Sequence, residues 1–151
     1  IGNFQFSPDR KRVAAESRTD NNIWIYDADR GLRTRFTFDP AFDQNPVWSP
    51  DGRSIIFTSR RKQHMDLYRK SSDGAGAEEL LYSDEMDKFA TDWSPDGKFL
   101  VYSGAGAGGS NVWVLPLTLE QQGVPRKPFP FAPSPVLAIQ RPIPVGVTTR
   151  G

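Results

Sequence analysis

The strongest constraint on the fold is a short segment that occurs three times. Ser7-Pro8-Asp9-Arg10-Lys11, Ser49-Pro50-Asp51-Gly52-Arg53 and Ser94-Pro95-Asp96-Gly97-Lys98 align without gaps, at spacings of 42 and 45 residues. An aromatic residue precedes each serine: Phe6, Trp48 and Trp93. An alternating or apolar run follows, over 13–15, 54–58 and 99–102. A second run begins within 17 to 19 residues of the serine, as Ile23-Trp24-Ile25-Tyr26, Asp66-Leu67-Tyr68 and Val112-Trp113-Val114-Leu115. This alignment sets Trp24, Leu67 and Trp113 at one repeat position. A last extended stretch closes each unit, at 33–38, 78–82 and 126–131.

Each unit therefore predicts four short strands joined by tight turns. In Ser-Pro-Asp-Gly, Pro presets φ, the Asp side chain caps local amides and Gly supplies positive φ. Asp27-Ala28-Asp29-Arg30-Gly31 and Ser72-Asp73-Gly74 carry similar chemistry. Arg10 stands where Gly52 and Gly97 stand in the other units, so its turn is either strained or of another type. A period of 40 to 45 residues with four strands per unit is the signature of a β-propeller blade. The predicted fold class is all-β: a section of a propeller with three four-stranded antiparallel blades, about 1–42, 43–87 and 88–131. The repeated tryptophans, Trp24, Trp48, Trp93 and Trp113, are expected to fill the contacts between blades. Closed propellers typically have four to eight blades. A fourth Ser-Pro-Asp-Gly would fall near 137–139, but the chain reads Pro133-Ser134-Pro135-Val136-Leu137 there. Residues 132–151 are expected to be a disordered, Pro-rich tail.

Composition narrows the function classes. The chain has 151 residues and a net charge of +1, which excludes a polyanion binder driven by bulk charge. All acidic residues lie between Asp9 and Glu120, so residues 1–124 sum to −3 and the basic, proline-rich end supplies +4. No Cys is present, which removes disulfides, thiolate metal sites and cysteine nucleophiles together. A single His excludes a His-cluster metal site within the chain. No apolar run reaches the roughly 18–20 residues of a membrane helix. No signal peptide is visible, and a chain that starts at Ile1 reads as a piece of a longer one.

The segments Pro46-Val47-Trp48-Ser49-Pro50-Asp51-Gly52 and Thr91-Asp92-Trp93-Ser94-Pro95-Asp96-Gly97 resemble the TolB-type, WD-repeat-like propeller repeat. In that family the unit reads aromatic-Ser-Pro-Asp-Gly, then a strand ending near Ser, then Asp-aliphatic-Tyr/Trp. Here those are Ile55-Ile56-Phe57-Thr58-Ser59 and Asp66-Leu67-Tyr68. The linking segments 35–40 and 126–131 resemble propeller regions of bacterial multidomain serine/threonine kinases. Similar propellers also gate prolyl-oligopeptidase-like peptidases. The resemblance implies an extracytoplasmic, periplasmic setting in a bacterium.

A four-strand meander gathers its longer loops on one side of the ring, where binding usually sits. Arg60-Arg61-Lys62 and Asp84, Glu85 and Asp87 are expected there as a mixed-charge rim, with His64 as an exposed loop residue. Asp43, Asn45, Lys88 and Asp92 lie at or just before the inner strands, near the mouth of a central channel. Polar groups there suit a small ligand or a cation. A lone His64 with no Gly-x-Ser-x-Gly does not make a nucleophilic triad. Gly104-Ala105-Gly106-Ala107-Gly108-Gly109 matches G-x-G-x-x-G but leads into a strand, so a loop is expected rather than a phosphate cradle. Asp27-x-Asp29-x-Gly31 lacks the downstream Glu of a calcium loop. No kinase motif is present.

These features predict a non-catalytic protein-interaction or ligand-sensing module of a larger bacterial protein, with no cofactor, no metal and no nucleic-acid partner. The alternative is the accessory propeller of an enzyme, a receptor-type kinase or a prolyl-oligopeptidase-like peptidase, whose catalytic domain lies outside this chain. A protein or peptide partner is expected. Three blades alone would also expose two apolar faces, which invites self-association.

Overall fold

A computed structural model describes residues 1–106, 109–118 and 126–131. The described chain is all-β, with twelve strands in three four-stranded antiparallel sheets. The first sheet runs β1 (Phe4–Phe6), β2 (Arg12–Glu16), β3 (Ile23–Asp27) and β4 (Leu32–Arg35) in chain order. The second runs β5 (Asp43–Trp48), β6 (Ser54–Ser59), β7 (Asp66–Ser71) and β8 (Glu79–Tyr82). The third runs β9 (Lys88–Trp93), β10 (Phe99–Gly106), β11 (Gly109–Pro116) and β12 (Phe129–Pro130). The expected tail, 132–151, lies outside the described residues.

The three repeat turns are built alike. Ser7, Ser49 and Ser94 each donate from Oγ to the Asp two residues on, at 2.6 Å in every case. Each Oγ accepts the N–H at the start of the next strand, of Arg12, Ser54 and Phe99, at 2.9 Å. The serine hydroxyl holds the carboxyl groups of Asp9, Asp51 and Asp96 below the usual range, helped by the N–H groups of Lys11, Arg53 and Lys98. Arg10 adopts φ 59°, beside 70° at Gly52 and 76° at Gly97. The first turn is thus the same turn with a side chain in the left-handed region, and of the two expectations strain is the outcome.

The sheets stack face to face through two apolar seams. Strand β6 reads Ser-Ile-Ile-Phe-Thr-Ser, a run rather than an alternation, because both of its faces are covered. Ile55 and Phe57 point to the first seam, where they meet Ala14, Ile23, Phe36, Trp48 and Tyr68. Ile56 points to the second, with Val47, Leu67, Leu81, Leu100, Tyr102 and Leu115. Phe57 stacks on Tyr68 at 6.0 Å between centroids and takes the edge of Phe36 at 6.3 Å. Each such large side chain contributes roughly 1.5–3 kcal/mol on burial.

Strand register corrects one alignment. Ala15 pairs with Trp24, Phe57 with Tyr68, and Tyr102 with Trp113. Tyr68, not Leu67, is therefore the partner of Trp24 and Trp113 in the repeat. The hairpin from Ala15 to Trp24 is two residues shorter than those from Phe57 to Tyr68 and from Tyr102 to Trp113, which displaces any alignment counted from the serine. A second difference concerns 104–109. Gly104, Ala105 and Gly106 continue β10 and pair with Asn111, Ser110 and Gly109 of β11, so these residues are strand rather than loop.

Candidate functional site

The inner strands β1, β5 and β9 begin at one end of the stack, where the longer loops gather. A backbone bond secures each seam at that end. Asp43 N–H donates to Asn21 O, and Lys88 N–H to Met65 O, both at 2.9 Å. These two positions are equivalent, each six residues before a repeat serine. Both side chains are buried, and their charges are opposite.

Lys88 is wholly buried and fully partnered. Its Nζ lies 3.2 Å from Asp66 Oδ1 and 2.7 Å from Asp84 Oδ1, and it donates to the carbonyls of Asp84 and Met86. Asp66 is itself buried and belongs to the second sheet, so the pair crosses the seam. Asp43 is the reverse case. Neither of its carboxylate oxygens meets hydrogen-bond geometry with a partner. Burial pushes its pKa up to about 6, against the pull of the Ser59 and Thr37 hydroxyls and the Arg61 guanidinium.

Arg61 turns inward from the loop edge, away from the expected rim. It lies over Tyr68, 4.3 Å from the ring centroid, and donates to Ser59 Oγ at 3.0 Å. It pairs with Glu78 and sits 3.7 Å from Asp43 and 3.8 Å from Asp39. Lys70, also buried, donates to Phe36 O at 2.8 Å and reaches Glu78 at 3.5 Å. Asp39 and Phe36 belong to the link between the first and second sheets, so these cations clamp that link onto the second sheet.

The remaining candidates are more open. Arg60 and His64 both approach Asp87, at 3.6 and 3.8 Å, and Asp87 Oδ1 accepts the N–H of Met65 at 2.8 Å. Asp92 is exposed, and its carboxylate accepts the N–H of Trp93. Asn45 has φ 52° and lines a cleft between the inner strands. Trp48 is buried in the first seam, with Nε1 donating to Gln5 O at 3.1 Å and Arg12 over its ring. Trp93 donates from Nε1 to Gly97 O at 3.1 Å. Asp27 caps its own turn by accepting the N–H groups of Asp29 and Arg30. No group of three or more His, Cys, Asp and Glu suited to a metal occurs among the described residues. Asp39, Asp66, Asp84 and Glu78 gain their roles from contacts with other strands and loops, which local sequence does not display.

The family's sequence profile, described as the TolB beta propeller domain, matches residues 2–124. The chain belongs to the TolB β-propeller family. Two curated relatives are similar in sequence. An uncharacterized protein of Agrobacterium fabrum is 35% identical over 99 residues, covering 64% of this chain and 33% of the relative. The uncharacterized peptidase YuxL of Bacillus subtilis is 34% identical over 109 residues, covering 64% of this chain and 16% of the relative. The chain thus spans a third or less of the curated relatives' own lengths. Among solved structures, a protein of Agrobacterium tumefaciens provisionally assigned as TolB superposes with a TM-score of 0.67 at 26% identity. That match covers 83% of this chain and 47% of the other.

Proposed function

We propose that this TolB-type chain is a non-catalytic interaction or ligand-sensing module, three repeat units at about 1–42, 43–87 and 88–131 of a longer bacterial protein. One observation carries the reading. Most ionisable groups at the loop end are engaged in holding loops and blades together, Lys88 with Asp66 and Asp84, Arg61 with Asp39 and Glu78, Asp87 with Arg60 and His64, and Asp43, which lacks a hydrogen-bonded partner, is buried out of a substrate's reach. General acid–base work needs a group within reach of a substrate proton, not one locked against a neighbouring strand. What this end offers to a partner is a rigid edge of mixed charge, the kind of surface that steers and registers another protein. A photo-crosslinker placed at Lys62 on the loop end is expected to capture a protein partner, whereas one at Lys98 on the turn end captures none. Equal capture at both, or turnover of peptide or nucleotide substrates by the purified chain, would overturn the reading.

A second reading has its own support. The similarity to a Bacillus subtilis protein named as a peptidase fits a propeller that is accessory to a catalytic domain elsewhere in a longer chain. The open reading frame around this segment decides it: a hydrolase or kinase domain beside the repeats favours the accessory role.

A further inference from the structure

Trp48 and Trp93 stand at one repeat position, each just before its serine, yet the two rings are covered differently. Trp48 faces the first seam, where Arg12 lies over its ring at 4.7 Å from the centroid and Nε1 crosses to Gln5 O at 3.1 Å. The Arg12 guanidinium is held there by the carbonyls of Ser72, at 3.1 Å, and Gly52, at 3.5 Å. So covered, Trp48 is 4% exposed. Trp93 faces the second seam, where its ring packs against the core but stays only half-buried. Ser54 stands at the Arg12 position in that seam, since both residues donate their N–H to the repeat-serine Oγ at 2.9 Å. A serine side chain is too short to cover an indole on the next sheet. Trp93 Nε1 turns back to Gly97 O of its own turn, at 3.1 Å.

Beside this ring a cleft of about 270 Å³ separates the second and third repeat turns, with Pro50 and Asp51 from one turn and Pro95 and Asp96 from the other. The serine hydroxyls and turn N–H groups hold both carboxyls below the usual range, so both are charged at neutral pH. Those bonds fall on Oδ1 in each residue, which leaves Oδ2 to an incoming donor. Exposed Arg53 and Lys98 flank the two carboxylates. Lys98 Nζ is 4.0 Å from Asp96 Oδ2, a surface contact of the kind that contributes little and yields to a better-placed cation. The aromatic wall selects in the same direction. A cation is drawn to the face of an indole more strongly than to that of Tyr or Phe. A guanidinium is planar, always charged and weakly hydrated, so it stacks on a ring and still offers N–H groups to carboxylates. An anion would meet two like charges here, and a neutral ligand would gain little from either. At this volume the cleft holds a small molecule.

We propose that this cleft binds a free small-molecule guanidinium, its planar head over Trp93 and its charge toward Asp51 and Asp96. An external ligand then does for Trp93 what Arg12 does for Trp48. The site lies at the turn end, away from the loop-end surface, and stands independently of the reading above. Calorimetry on the whole chain tests it with arginine amide, lysine amide and citrulline amide. These share an α-amino amide and differ in carrying a guanidinium, an ammonium and a neutral urea. Arginine amide is expected to bind with Kd on the order of 1 mM. Lysine amide is expected to bind about threefold more weakly, and citrulline amide at least roughly tenfold more weakly. Ser54→Arg places a guanidinium within the chain at the Arg12 position. It is expected to weaken arginine amide binding at least about fivefold, with a thermal midpoint that holds or rises. Asp51→Asn combined with Asp96→Asn keeps an acceptor for each turn and removes the charge, and is expected to weaken binding by about the same factor. If the double variant does not fold, Ser54→Arg and the three amides still decide. The proposal is overturned if arginine amide does not bind, if citrulline amide binds as tightly, or if a folded variant binds like the parent.

Discussion

Two residues occupy conformations or environments that their chemistry resists, and both make predictions. Arg10 pays about 1 kcal/mol for a φ that Gly52 and Gly97 adopt freely. Arg10→Gly is expected to raise the unfolding free energy by up to that amount, reduced by the greater freedom of glycine in the unfolded chain. A denaturant midpoint that stays or falls would refute it. Asp43 is the second. Its folded pKa of about 6 lies above the ordinary carboxylate value of 3.8, so the native state holds a proton that the unfolded state releases. Stability therefore falls as pH rises through that window, by an amount on the order of 2–3 kcal/mol, and levels off above it. Asp43→Asn is expected to flatten the slope in denaturant titrations between pH 4 and 7. The lowered carboxyls of Asp9, Asp51 and Asp96 act in a separate window, since their contribution is lost only as pH falls through their own folded pKa values. The turn chemistry of these aspartates was readable from Ser-Pro-Asp alone because every partner lies within five residues. The state of Asp43 was not, since its burial comes from the link and strands that close over it.

At the scale of the element, strands inside the stack are specified by both of their faces. Lys88 opens β9 and crosses to Asp66 on β7, so one residue joins two sheets. Lys88→Met leaves Asp66 buried without its counter-ion and is expected to cost about 3–5 kcal/mol. Adding Asp66→Leu to that variant is expected to restore much of the loss, because an apolar pair of similar volume is close to neutral. Equal stability of the single and double variants in chemical denaturation would count against this account. The strands and turns themselves were legible from apolar runs and Gly and Pro positions. The pairing of Tyr68 with Phe57 was not, because Leu67 and Tyr68 are both plausible core residues and the preceding loop varies in length. Position in the chain marked Asn45, Lys88 and Asp43 as candidates; only the seams reveal that Lys88 is sealed while Asn45 borders an open cleft.

Across the whole molecule, the first sheet presents an apolar surface on the side away from the second. Ile1, Phe4, Val13, Ala15 and Tyr26 line a hollow there, and Ile1 and Phe4 are exposed. The chain is expected to bind a dye that fluoresces on apolar surfaces and to associate with rising concentration. Phe4→Ser is expected to weaken both while changing stability by no more than about 0.5 kcal/mol, since Phe4 is exposed. Sedimentation showing a monomer at all concentrations, with no dye signal, would refute this. The opposite charges at Asp43 and Lys88 have a further consequence. The blades share one recipe for their turns, yet each seam accepts a different neighbour. Shuffling their order would set Lys88 beside Asn22, the counterpart of Asp66, and strand an ammonium in an uncharged interior. A unit exchanged within this stack therefore needs the matching half of its neighbour exchanged with it, because each seam is specified by two units together.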